Sequence, residues 1–232
     1  MELWLFLLRW IHFLAGITWI GLLYYFNFVQ TPFFAEAEAP TRSAAIQKLV
    51  PRALWWFRWG AMVTFLAGAL IYLHKLAQAG VTGFYSTSYG WAITVGGLLG
   101  TVMFLNVWLV IWPGQKVVIA SATQVAQGGQ AIPEAAARAR RAALASRTNT
   151  LFSIPMLFYM GAASHLTLFG EASAEGIAGL IIVGGAIIAA IEANALIGSQ
   201  GPTKKPLDTV SGTLWAGFIL SAILHLLFLI LF

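Results

Sequence analysis

The chain contains no cysteine. That excludes disulfides, thiolate metal sites, iron–sulfur clusters and a Cys-x-x-Cys-His haem attachment. Charge is almost as scarce: Asp, Glu, Lys and Arg make up 9% of 232 residues, with only 8 acidic side chains. A soluble domain carries about a quarter of its residues charged. In place of charge the chain has apolar mass, 59% of its residues, at a mean hydropathy of +0.81. Its apolar runs approach the ~20 residues that cross a bilayer.

These runs predict an all-α integral membrane protein, a single domain over 1–232 built as a bundle of about six transmembrane helices. The spans are about 3–31, 54–75, 90–112, 149–169, 175–197 and 211–232, the first closed by Pro32 and the third by Pro113-Gly114. The first run carries Arg9 and His12 and has no A-x-A-like site, so it reads as a span and not as a cleaved leader. The connection 113–148 ends in "PEAAARARRAALASR", whose alanines favour an amphipathic helix starting at Pro133 and running on into the fourth span. Thr41 is placed to cap a short helix in the first connection, and Pro51 to start the second span.

The 13 Lys and Arg residues are unevenly placed. Eleven of them, from Arg42 through Lys205, fall in or beside the connections after spans one, three and five; Arg9 and Lys75 are the two exceptions. Cytoplasmic connections carry the excess of positive charge, so both termini are expected on the periplasmic side of a multi-pass bacterial inner-membrane protein. The formal charge of +5 is thus a topology signal, with lipid head groups facing the basic helix and no nucleic-acid footprint.

The four histidines, His12, His74, His165 and His225, then all fall in the periplasmic half, on four different spans. Ionisable residues inside spans are costly and are functional candidates by default. Arg9 lies three residues before His12, and Lys75 follows His74. Gly16 and Gly161 lie one turn from His12 and His165, and Gly217 two turns from His225. This set suits one or two b-type haems, with imidazoles as axial ligands of the iron, Arg9 and Lys75 beside the propionates, and glycines leaving room for a porphyrin face. By depth, His12 pairs with His225 and His74 with His165. The glycines suit close helix packing equally well. Copper or zinc held by the same imidazoles is the alternative metal reading. The cytoplasmic half carries Asn27, Gln30, Arg58, Asn106, Asn149 and Glu192, which read as a structural salt bridge or amide network, or as a proton or substrate route.

Three blocks, "RWIHFLAGITWIGLLYYFNFVQTPFF" (9–34), "NVWLVIWPGQK" (106–116) and "SRTNTLFSIPMLFYMGAASH" (146–165), resemble the membrane domain of PuuD-type bacterial urate oxidases, also called urate hydroxylases. The resemblance implies a membrane oxidoreductase, and it includes His12 and His165. That family commonly joins its membrane part to a C-terminal cytochrome c domain. A chain without cysteine that stops at Phe232 is therefore expected to act as a stand-alone relative or as a subunit of a respiratory or oxidase assembly, possible oligomers included. The function expected is electron transfer near the periplasmic face to a periplasmic cytochrome c or a respiratory complex subunit. Oxidation of urate or another small substrate is the catalytic alternative. An accessory subunit or transporter with structural histidines is the non-redox one.

Overall fold

The computed structural model describes residues 2–170 and 172–232, and among them the secondary structure is helical with no strand. Seven main helices follow one another: α1 (Glu2–Glu36), α2 (Ala39–Lys48), α3 (Val50–Tyr85), α4 (Ser88–Ala126), α5 (Ala135–His165), α6 (Ala174–Leu196) and α7 (Val210–Leu231). Five of them, α1, α3, α4, α6 and α7, are long and apolar enough to cross a membrane. The fourth expected span lies in the C-terminal half of α5, which stands apart in carrying a buried polar run. Large apolar side chains cover the outside of the bundle, with Ile17 72% and Ile230 76% exposed, a surface that only a bilayer satisfies.

Two proline stops fail for one reason. α1 continues through Pro32 to Glu36, and α4 through Pro113 to Ala126. Each proline is preceded by a π-helical turn, Tyr25–Gln30 and Asn106–Ile111. Proline removes one helical N–H and crowds the carbonyl four residues back. The wider turn relieves both problems, and Thr31 Oγ1 donates to the Phe26 carbonyl inside the first (2.8 Å). The helix expected at Pro133 starts at Ala135 and does run unbroken into the fourth expected span. Thr41 caps nothing, because α2 already starts at Ala39; Pro51 stands in the first turn of α3 as expected.

α4 and α5 run antiparallel along their full length. The Leu168 N–H donates to Ser88 Oγ at one end (2.7 Å), Gly96 and Gly100 lie against Met160 and Met156, and Gly114 lies against the Arg138 carbonyl at the other end. α1 packs on α3, and α7 packs on α5. The bundle therefore has a terminal end, with the start of α1 and the end of α7, and a basic end that holds most of the Lys and Arg. At the basic end Arg141 Nη2 donates to the Leu196 carbonyl (2.8 Å), and buried Lys204 donates to the carbonyls of Asn194 and Ile197. Cations on the last carbonyls of α6 complement its dipole.

Candidate functional site

At the terminal end α3 turns sharply. Gly80, at φ +70°, breaks the helix in a conformation that L side chains rarely adopt, and the short segment to Tyr85 folds back over the start of α4. Thr87 caps α4 by accepting from the Gly90 N–H (3.0 Å), and the Trp91 indole donates to the Tyr85 carbonyl (2.8 Å). This corner and the start of α1 enclose an open cavity of about 450 Å³, lined by Arg9, Lys75, Gln78, Phe84, Thr87 and Tyr89. Among the described residues neither cation pairs with a carboxylate. Arg9 and Lys75, expected beside anionic groups, do face one space.

His12 is held one turn deeper. Its Nδ1 lies 2.8 Å from the Thr64 carbonyl on α3. A carbonyl only accepts, so Nδ1 carries the proton, and in the neutral ring the lone pair rests on Nε2. Histidines that ligate a metal through Nε2 are commonly oriented this way. Gly68 makes the approach possible: a Cβ there would lie 2.9 Å from His12 Cε1. Sequence reasoning missed Gly68 because it lies on another helix, 56 residues from His12 along the chain.

The other histidines are dispersed. His225 sits against α5, its ring edge-on to Phe158 at 5.6 Å and its Nδ1 buried. His74 also has a buried nitrogen, Nε2, and neither it nor His225 Nδ1 has a protein partner among the described residues. His165 ends α5 and is exposed. Among the described residues no three of His, Asp and Glu lie together as a metal cluster would. Among the described residues His12 is the histidine with a ring nitrogen held by a hydrogen bond, which leaves Nε2 as its donor atom.

The glycines divide. A Cβ on Gly217 would lie 2.5 Å from Ile154 Cδ1 and 2.8 Å from the Leu151 carbonyl, so this glycine serves close packing of α7 on α5. Pro155 has no N–H to offer that same Leu151 carbonyl. Gly16 meets Thr64 at ordinary contact distance, and Gly161 faces open space.

Towards the basic end the polar residues meet. Asn106, in the second π turn, donates through Nδ2 to Asn149 Oδ1 on α5 (2.9 Å) and to Glu192 Oε2 on α6 (3.0 Å). Asn149 Nδ2 donates to the Met103 carbonyl on α4 (2.9 Å). Beside Asn149 on α5, Ser146 Oγ accepts from Asn27, in the first π turn (2.8 Å). Ser153 gives its proton to the Thr150 carbonyl, so Tyr24 OH donates to Ser153 Oγ (2.9 Å). Of the two structural readings of this half, the amide network is present and the salt bridge is not. Arg58 instead stacks on Trp112, its guanidinium carbon 3.9 Å from the ring centroid. Several buried polar atoms here have no protein partner, among them Arg58 Nε, Trp108 Nε1, Arg147 Nη1 and Thr148 Oγ1. Such atoms are rare in folded proteins and mark places where water or a ligand is held.

The family model described as urate oxidase N-terminal matches residues 75–195, just over half of the chain. The chain belongs to the urate oxidase N-terminal family. The matched stretch runs from Lys75 through Asn106 and Asn149 to one residue short of the end of α6, and so contains the whole Glu192 network. His12 and Arg9 lie outside it. No curated protein and no solved structure matches the chain.

Proposed function

We propose that this protein is a urate-related membrane oxidoreductase whose redox site lies at the terminal end of the bundle, on the periplasmic side of a bacterial inner membrane. The observation that carries the reading is the setting of His12: a proton fixed on Nδ1 by the Thr64 carbonyl, a lone pair left on Nε2, Arg9 one turn before it, and Arg9 and Lys75 lining one cavity, neither paired with a carboxylate among the described residues. Family membership supplies the substrate class.

A b-type haem on His12 would supply one-electron chemistry between a small substrate and an acceptor such as a periplasmic cytochrome c. Arg9 and Lys75 supply positive charge for anionic groups, whether the propionates of such a haem or urate itself, which is an anion at neutral pH. Tyr89 offers aromatic surface to a planar ring, and Gln78 and Thr87 offer hydrogen bonds. Thr64 and Gly68 fix the His12 ring.

The topology that goes with this reading has six crossings. α5 lies antiparallel against α4 from Ser88 to Gly114, so a bilayer that spans α4 spans α5 as well. Its buried polar run is tolerated because other helices shield it from lipid. The positive-inside rule then turns the basic end to the cytoplasm and both termini outward.

The test is a reduced-minus-oxidised spectrum of the purified chain with haem quantification. A b-type spectrum that is lost in His12→Ala and strongly diminished in Gly68→Val, together with reduction by urate, is the expected result. Purified protein without haem would remove the cofactor reading, and a spectrum unchanged in His12→Ala would remove His12 as ligand.

A further inference from the structure

The network that joins Asn106, Asn149 and Glu192 has no part in the redox reading. Glu192 lies four residues before the end of α6, roughly 6 Å along the axis from the basic end. One oxygen, Oε2, accepts from a neutral amide, and Oε1 has no protein partner among the described residues. No cation is paired with it, since the ion pair present among those residues is Arg140 with Asp208. A carboxylate so placed in a low-dielectric interior is expensive to keep ionised and takes up a proton instead.

A second observation shows where the proton would come from. A cavity of about 140 Å³ at the basic end is lined by Leu109, Val110, Gly114, Arg138, Arg141 and Leu196. Leu196 is four residues after Glu192, Val110 is four after Asn106, and Arg138 is eleven before Asn149. Each spacing returns to about the same face of its helix. The cavity therefore lies about one turn or more below the network, on the same faces of all three helices. It is large enough for several waters, and Arg138 and Arg141 give its otherwise apolar wall polar groups.

We propose that Glu192 is a protonation site inside the membrane that exchanges its proton with the aqueous phase of the basic end through this cavity. The step is a proton equilibrium alone: the Glu192 carboxylate gains a proton on oxygen and returns it to water. Asn106 and Asn149 are positioning residues. Asn149 holds Asn106, and Asn106 Nδ2 fixes Oε2 while Oε1 stays open to exchange.

The charged groups on the surrounding elements are few. α5 brings Arg138, Arg140, Arg141 and Arg147, of which Arg141 is bound to the Leu196 carbonyl and Arg140 to Asp208. Lys204 is bound to two α6 carbonyls. The π turn carries none, Lys116 on α4 lies ten residues after Asn106 and over the Trp112 ring, and α7 carries only His225, near its far end.

The test uses the full chain in nanodiscs and needs neither haem nor substrate, so it is independent of the redox reading. A hydrophobic carbodiimide, which reacts with protonated carboxyl groups, should modify Glu192. Labelling should fall as pH rises and vanish in Glu192→Gln, which keeps an oxygen for Asn106. In the infrared difference between wild type and Glu192→Gln, a protonated-carboxyl stretch should shift in D2O. Val110→Trp, which fills the cavity, should slow that shift at least tenfold. Absence of both adduct and band would overturn the proposal. So would protection from the carbodiimide by sodium at fixed pH, which would make the site one for a metal cation, and so would unchanged exchange in Val110→Trp.

Discussion

The two ends of the bundle use polar residues in opposite ways. Towards the terminal end four histidines stand on four helices, each among its own neighbours: His12 on Thr64 and Gly68, His225 beside Phe158, His165 exposed. Towards the basic end Asn106, Asn149 and Glu192 come from three helices and bond to one another. The difference teaches that membrane depth and contact are separate facts. Depth follows from position along a span and can be counted. Contact depends on which way a residue faces and on which helix lies there, and packing decides both.

The comparison breaks most readily at Asn149. It is fully buried, and its side chain serves Asn106 and the Met103 carbonyl together. Asn149→Leu leaves one buried N–H of Asn106 unpaired, at about 1–3 kcal/mol, and takes one of two donors from the Met103 carbonyl, which keeps the Asn106 backbone N–H. The expected outcome is a large drop in thermal midpoint in detergent, or loss of folded protein. His165→Ala at the other end, on an exposed side chain, should stay within about 0.5 kcal/mol of wild type. Equal losses in the two variants would mean that the dispersed histidines are as tightly bound into the fold as the amides.

A pair of glycines sharpens the contrast at smaller magnitude. Gly217→Ala forces a methyl group into the Leu151 carbonyl and Ile154, and overpacking of this kind costs about 1–3 kcal/mol. Gly161→Ala meets nothing within 4 Å and should be neutral, or stabilising by up to about 1 kcal/mol through helix propensity. Paired unfolding curves check this. A destabilising Gly161→Ala would show a partner on that face.

Legibility in the sequence followed the same line. Helix class, the positions of the apolar spans and the continuity of α5 could be read because each depends on composition and local propensity. The π turns could not, although both precede prolines, because a proline signals a break and says nothing of a widened turn that avoids one. Arg9 and Lys75 could be grouped as the lone cations of one side, and both line one cavity. Gly68 was invisible for the opposite reason: it carries no chemistry and matters only through the imidazole pressed against it. Glu192 can be located near one end of its span from sequence, yet its partner is an amide 86 residues away and not the arginine at matching depth.

The smallest expected effect concerns two threonines, one near each end. Thr41 looks like a helix cap in sequence; Thr87 is one in the structure. Thr87 Oγ1 accepts from the Gly90 N–H and donates to the Phe84 carbonyl (2.8 Å), which closes the corner beside the Arg9–Lys75 cavity. Removing a cap of this kind costs about 1 kcal/mol. Thr41 already lies inside α2, exposed, with its own N–H past the first residue of the helix. Thr41→Ala should therefore change the unfolding midpoint little, within about 0.5 kcal/mol, whereas Thr87→Ala should lower it measurably. Thr87→Ala should also loosen the cavity wall, read as faster amide exchange over residues 84–90 than in wild type. Matching exchange in the two proteins would show that this corner is held by the Trp91 indole on Tyr85 and by Ser88 under Leu168, with the Thr87 hydroxyl adding nothing.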